Sequence, residues 1–159
     1  MSMSQEILKT LDKDAEKILA KYDKKKAATL TLLHLAQDRI GHVTPDIEAW
    51  VSKWTEVPVV HVHEVVTFYS MYHKTPPGRH HIRFCNGTSC MLAGSEKLLG
   101  HIQKKYKVEK GGKTADGRLS LEEAECLCAC EVAPMMQVDG KYYGSLSEKK
   151  IDEILGELK

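Results

Sequence analysis

Five cysteines carry most of the chemistry available to this 159-residue chain, and all lie in its second half. Cys85 and Cys90 enclose Asn86-Gly87-Thr88-Ser89. Cys126 and Cys130 enclose Leu127-Cys128-Ala129, so a fifth cysteine sits inside the second pair. Two pairs separated by 35 residues offer four thiolates, the number that either a structural zinc ion or an iron–sulfur cluster takes. Zinc knuckles favour short, regular spacings around a tetrahedral ion. Clusters tolerate varied gaps, a four-residue gap among them. A thioredoxin-type dithiol needs Cys-x-x-Cys, which the chain lacks. The spacing favours an iron–sulfur cluster, with zinc and an unmetallated set as the alternatives.

The flanks fit a buried anion. A 2Fe–2S centre with four thiolates is negatively charged and needs backbone N–H donors nearby. Asn86 to Ser89 is a small, turn-prone stretch whose backbone can approach the sulfurs, and the helix after it aims its N-terminal amides the same way. Glu122, Glu123, Glu125 and Glu131 crowd the second pair; carboxylates close to iron would keep its potential low. The histidines at 61, 63, 80 and 81 fall inside neither pair, whereas a Rieske centre needs histidine within the ligand arms. They are read as non-ligands.

The elements around the cysteines follow from periodicity. Ile7, Leu8, Leu11, Ala15, Ile18, Leu19 and Tyr22 recur at helical spacing. A second helix is expected over 27–39 with Gly41 as its stop, and a third after Thr44-Pro45, an N-cap followed by proline at the first helical position. Pro58 opens a fourth segment containing Val62, Val65, Val66, Phe68, Tyr69 and Tyr72. It is read as helical despite its β-branched run, because no strand candidate lies nearby to pair with it. Its aromatics, with Trp50 and Trp54, suit a bundle core better than a docking surface. Pro76-Pro77-Gly78 is the best boundary; it separates a helical bundle, 1–76, from a second domain, 77–159. There, 80–84 reads as a strand running into Cys85, 93–106 as a helix, and 118–127 as an alternating segment leading to the second pair. Residues 135–138 and 141–143 flank Asp139-Gly140, a hairpin signal, and Ser147 caps a last helix. The fold class is α+β.

Composition excludes several functions. A hydrophobic share of 42% with 28% charged residues is that of a globular protein. A net charge of +1 makes no case for nucleic acid. Met1 to Glu6 leads into an amphipathic pattern rather than a leader, and no apolar run reaches membrane-spanning length. A cytoplasmic location with reduced thiols is expected. No glycine fingerprint for a dinucleotide and no flavin site is present, and no residue is read as catalytic.

Longer stretches resemble one family. Glu64-Val65-Val66-Thr67-Phe68-Tyr69-Ser70-Met71-Tyr72 is similar to its EVATFYTMF segment, and residues 85–95 to its first ligand arm. Residues 116–130, Asp-Gly-Arg-Leu-Ser-Leu-Glu-Glu-Ala-Glu-Cys-Leu-Cys-Ala-Cys, resemble its DGxxxLEEVECLGAC second arm. Residues 133–138 and Tyr142-Tyr143 complete the match. The family is the small thioredoxin-like 2Fe–2S subunit of the NADH-oxidising module of respiratory complex I, with relatives in NAD-linked hydrogenases and formate dehydrogenases. The resemblance implies a thioredoxin-like α/β domain after the bundle, holding one 2Fe–2S cluster through Cys85, Cys90, Cys126 and Cys130. It also implies single-electron exchange with a larger flavoprotein subunit that binds FMN and NADH. Neighbouring iron–sulfur subunits and a position peripheral to the inner membrane are implied too. Such a chain is part of an oxidoreductase without being a catalyst alone. Cys128 departs from the pattern, standing where the family usually has glycine. The resemblance also points to Pro134 as the position of a cis-proline.

Overall fold

The computed structural model describes residues 3–158; Met1, Ser2 and Lys159 lie outside the described residues. The chain divides into two compact units, Met1–Pro76 and Pro77–Lys159.

Among the described residues, four α-helices build the first unit: α1 (Met3–Leu19), α2 (Thr29–Ile40), α3 (Pro45–Thr55) and α4 (Val59–Phe68). Leu8, Leu11 and Ala15 of α1 meet Leu32, Leu33 and Ala36 of α2, Ile47 and Val51 of α3, and Val62 and Val66 of α4. Thr44 accepts the Ile47 amide at 3.3 Å, capping α3 ahead of Pro45. Gly41 ends α2 at φ 90°, a left-handed conformation in which glycine carries no side-chain penalty. The β-branched run forms α4 because Val62 and Val66, one turn apart, complete the bundle core, and packing overrides strand propensity. The indoles of Trp50 and Trp54 both donate to Asp12 Oδ1, at 2.9 and 3.2 Å. Tyr72, 4% exposed, donates its hydroxyl to the Leu30 carbonyl at 3.1 Å. Phe68 is the aromatic exception at 80% exposed.

Boundaries shift where local chemistry intervenes. α1 ends at Leu19, and Tyr22 lies beyond it, bonded through its hydroxyl to Thr31. Lys25–Ala28 forms a 3-10 turn before α2. Tyr69 and Tyr72 follow the end of α4 rather than belonging to it.

The second unit is a four-stranded sheet with helices on one face. β1 (His80–Cys85) is followed by two helices, α5 (Thr88–Leu92) and α6 (Ser95–Tyr106), then by β2 (Leu119–Ala124), β3 (Met136–Val138), β4 (Lys141–Tyr143) and α7 (Glu148–Glu157). The strand order is β2-β1-β3-β4. β1 and β2 are parallel, as a helical crossover requires, and the remaining pairs are antiparallel. Asp139 and Gly140 both have positive φ, 50° and 83°, the geometry that matches a two-residue hairpin to strand twist. Ile82, Phe84, Leu119 and Leu121 point to the face covered by Leu98, Leu99 and Ile102 of α6 and Ile151 and Leu155 of α7. Alternate residues carry the other face: His81 contacts Ser120 at 2.8 Å and Glu122 at 3.0 Å. Ser147 accepts the Lys150 amide at 3.2 Å to start α7. Arg118 donates to the Leu155 and Leu158 carbonyls at 3.0 and 3.1 Å, satisfying the open end of that helix.

Candidate metal centre

Strand register brings the two cysteine pairs together. Cys85 is the last residue of β1 and pairs with Ala124, the last residue of β2. Both arms therefore leave the sheet at the carboxyl end of adjacent parallel strands, where α/β sheets characteristically bind ligands. The Cys85 amide donates to the Met135 carbonyl at 3.2 Å and the Asn86 amide to the Ala124 carbonyl at 2.9 Å. These bonds fix the start of the first arm against both neighbouring strands. One turn of α5 then places Cys90 back beside Cys85. Met135, fully buried, forms the floor of an apolar cluster with Cys85, Cys90, Ala124, Leu127 and Ala129. The preceding Ala133–Pro134 bond is cis.

Gly87 sets how closely the arms approach. A β-carbon there would lie 3.0 Å from the Glu125 carbonyl, 3.7 Å from Cys85 Sγ and 3.8 Å from Cys126 Cβ. Its φ of −63° is ordinary, so space and not conformation calls for glycine.

All five thiols are free. Cys85 and Cys90 are 3% and 1% exposed, whereas Cys126, Cys128 and Cys130 are exposed. Burial pushes the Cys90 thiol pKa up, and its hydrogen bond with Cys85 adds to that; a backbone bond from Met135 opposes it. Cys126 moves the other way. Its sulfur accepts the Cys128 amide at 3.3 Å, the largest cause of a lowered pKa, and then the Cys128 thiol, with Cys130 and Cys85 also in hydrogen-bonding reach. The thiol hydrogen bond with Cys126 is the first cause that raises Cys128. Cys85 thus links the buried Cys90 to the exposed Cys126, which in turn reaches Cys130. Four sulfurs on one patch, with two amides aimed at them, fit a polythiolate centre: thiolate is the metal-binding form, and N–H donors stabilise its charge.

Two details differ from the sequence expectation. The amides that reach sulfur belong to Met135 and Cys128, while the Asn86 amide is engaged by Ala124. Glu122 and Glu123 are turned to neighbouring side chains: Glu122 to His81 and Arg83, Glu123 to Lys110 at 2.7 Å and to Asn86. Glu125 and Glu131 alone of the four acids are exposed. Cys128 adopts φ 56°, which explains why glycine suits this position in the resembling family: a β-carbon there is strained. The histidines at 61, 63 and 80 contact Glu64, Glu48 and Asp139.

Comparison with known proteins agrees with this construction. The sequence profile of the thioredoxin-like [2Fe-2S] ferredoxins matches residues 15–159. An E-type subunit of the NADH-quinone oxidoreductase of Rhizobium meliloti (strain 1021) is 38% identical over 146 residues, covering 92% of this chain and 87% of its own. The HndA subunit of the NADP-reducing hydrogenase of Solidesulfovibrio fructosivorans is 32% identical, covering 84% of this chain and 78% of its own. The fold recurs in the crystal structure of an NAD+-reducing [NiFe]-hydrogenase in the H2-reduced state, with TM-score 0.72 and 24% identity over 82% of this chain and 22% of that one. The profile match and the identity to these relatives together assign the chain to the thioredoxin-like [2Fe-2S] ferredoxin family.

Proposed function

We propose that this chain is the 2Fe–2S electron-transfer subunit of an NADH-quinone oxidoreductase, with Cys85, Cys90, Cys126 and Cys130 as its ligands. The observation that carries the reading is the convergence of the two cysteine arms at the carboxyl ends of β1 and β2. A bound cluster supplies a one-electron couple. The protein's own contribution is positional. Cys85 and Cys90 hold one side in an apolar, water-poor setting with Met135 beneath. The Met135 and Cys128 amides offset thiolate charge. Cys126 and Cys130 leave the other side open to solvent, and so to a redox partner.

That partner is the flavoprotein subunit carrying FMN and NADH, alongside other iron–sulfur subunits of the assembly. Relatives that are themselves subunits of larger oxidoreductases support this. So do the exposed apolar residues. Met91 and Leu92, 50% and 86% exposed beside Cys90, are surface of the kind that a partner covers. Phe68, 80% exposed on α4, lines a groove of about 590 Å³ together with Leu30, Val57, Val65 and Tyr69, a second surface of this kind. We assign the helical unit, 1–76, to docking and residues 77–159 to the cluster. Among the described residues no helix is long and apolar enough to cross a membrane; any membrane association in this reading is peripheral, through the complex.

Anaerobic purification tests the reading. A brown protein with two irons and two acid-labile sulfides per chain, and an EPR signal after dithionite reduction, is expected. A colourless protein with one zinc would overturn it. Co-purification with a flavoprotein and membrane-arm subunits is expected for a quinone-linked complex. A hydrogenase subunit in their place would move the chain to the other kind of assembly.

A further inference from the structure

We infer that Cys128 is a reserve ligand, able to take the place of Cys126 on the metal centre. The inference rests on the ligand set proposed above and adds to it the fifth cysteine, which that set leaves unused.

Three observations carry it. The Cys126 and Cys128 sulfurs are 3.9 Å apart. A single step between staggered χ1 rotamers moves a cysteine sulfur by about 3 Å, so one side-chain rotation spans most of that gap. Cys128 is exposed, so the rotation displaces no core side chain. Finally, its neighbours Leu127 and Ala129 are only 6% and 8% exposed and pack in the same cluster as Cys85 and Cys90. They pin the loop on both sides of Cys128 and keep its thiol beside the site. No comparable substitute serves the first arm, whose two cysteines are buried.

The substitution needs no oxidant. To hold iron in place of Cys126, Cys128 would release its thiol proton to the solvent it faces, and an intact Cys126 would take up a proton from solvent as its sulfur came free. One iron–sulfur bond breaks and one forms, and no electron changes hands. The exchange makes the wet half of the site tolerant of losing one ligand, through oxidation or alkylation of the exposed Cys126.

Reconstitution of the full chain with ferrous iron and sulfide under anaerobic conditions tests this. The readouts are iron and sulfide per chain, the visible spectrum and the EPR signal after dithionite. Far-UV circular dichroism of the apo-proteins checks that each variant folds. Cys128→Ala, which removes the thiol but keeps the backbone amide that reaches Cys126, is expected to match the parent. Cys126→Ala is expected to keep at least half of the parent's iron and sulfide, with shifted visible bands and g-values. Cys126→Ala/Cys128→Ala and Cys90→Ala are expected to keep none. A Cys126→Ala protein as empty as the double variant would overturn the inference, and so would a double variant that still holds its cluster. Failure of the ligand set looks different: either the parent takes up no cluster, or Cys128→Ala is empty while Cys126→Ala matches the parent.

Discussion

The two arms of the site are built on different principles. The first is continuous with the hydrophobic core: Phe84 is fully buried, Cys85 and Cys90 are nearly so, and two backbone bonds tie the arm to β2 and to the residue before β3. The second arm leaves β2 into solvent, presents three exposed cysteines, and returns through a 3-10 turn at Cys130–Val132. Leu127 and Ala129 anchor it, and its backbone passes through a left-handed residue at Cys128. One half of the site is thus dry and fixed by long-range pairing; the other is wet and fixed by a short loop. Their electrostatics diverge accordingly. Burial raises Cys90, while local donors lower Cys126. A dry half fixes geometry, whereas a wet half permits exchange and electron entry.

The largest expected effect tests this asymmetry directly. Phe84→Ala removes a side chain at 0% exposure next to Cys85 and is expected to destabilise the apo-protein by about 3–5 kcal/mol, from lost burial plus a cavity. Leu127→Ala, at 6% exposure in the second arm, is expected to cost about 2 kcal/mol, the low end for a leucine that can relax into solvent. Urea unfolding measures both. Equal costs would mean that the second arm is as firmly built as the first.

The helical unit supplies the next contrast, since its fixation comes from a core with polar ties rather than from strand register. Burial, with a smaller contribution from Tyr69, pushes Tyr72 up to about 12. The folded form holds the phenolic proton more tightly than the unfolded one, so the stabilisation is complete below pH 10 and lost as pH rises from about 10 to 12. The loss amounts to about 2–3 kcal/mol. Both tryptophans lie in this unit, so their fluorescence reports its stability alone. Tyr72→Phe is expected to flatten that alkaline dependence, and an unchanged pH profile would remove Tyr72 as its cause.

Gly87 is where the two arms meet, and Gly87→Ala tests whether their closeness matters. The added carbon would sit 3.0 Å from the Glu125 carbonyl, and overpacking of this kind costs about 1–2 kcal/mol. Iron and sulfide retention is expected to fall below the parent's on dilution. Gly100→Ala on α6, where nothing lies within 4 Å, is the control. It is expected to gain up to about 1 kcal/mol of helix propensity and to leave cluster content unchanged.

What the sequence makes legible is local. Thr44-Pro45, Gly41, Asp139-Gly140 and Ser147 each announce a backbone geometry set by one or two residues, and each is found in that geometry. The α+β class follows from such signals added along the chain. What stays hidden depends on distant partners. No pattern in residues 85–90 says that the Asn86 amide will be taken by Ala124, or that the Met135 amide will face Cys90. Those contacts exist only once β1 lies between β2 and β3. The short helix α5 is similarly invisible, being five residues long and lacking a capping side chain. Cys128 lies between these cases: the resemblance marks it as unusual, and only its φ of 56° gives the reason.

That φ leads to a smaller prediction about the wet arm. Cys128→Gly removes a side chain from the left-handed region, a gain of about 1–2 kcal/mol, partly offset by the greater unfolded-state freedom of glycine. A net stabilisation of about 0.5–1 kcal/mol is expected in urea unfolding of the apo-protein. No gain would mean that the loop relaxes around the cysteine without strain.

The smallest effect concerns charge. Glu122 and Glu123 already face cationic or hydrogen-bonding partners on β2 and beyond, which leaves Glu125 and Glu131 as the exposed acids flanking the second arm. Reduction adds negative charge to the site, so an exposed carboxylate opposes it weakly through high-dielectric solvent. Glu125→Gln is therefore expected to raise the midpoint potential by about 0.5 kcal/mol, on the order of 20 mV for one electron. The shift should shrink as salt rises and screens the charge. Glu123→Gln, whose carboxylate is paired with Lys110 at 2.7 Å, unbalances a cation as it removes an anion. In a potentiometric EPR titration its low-salt shift is expected to have the same sign as that of Glu125→Gln, because each variant removes one negative charge from beside the site. A Glu125→Gln shift that is absent, or that persists unchanged at high salt, would place Glu125 outside the field of the site.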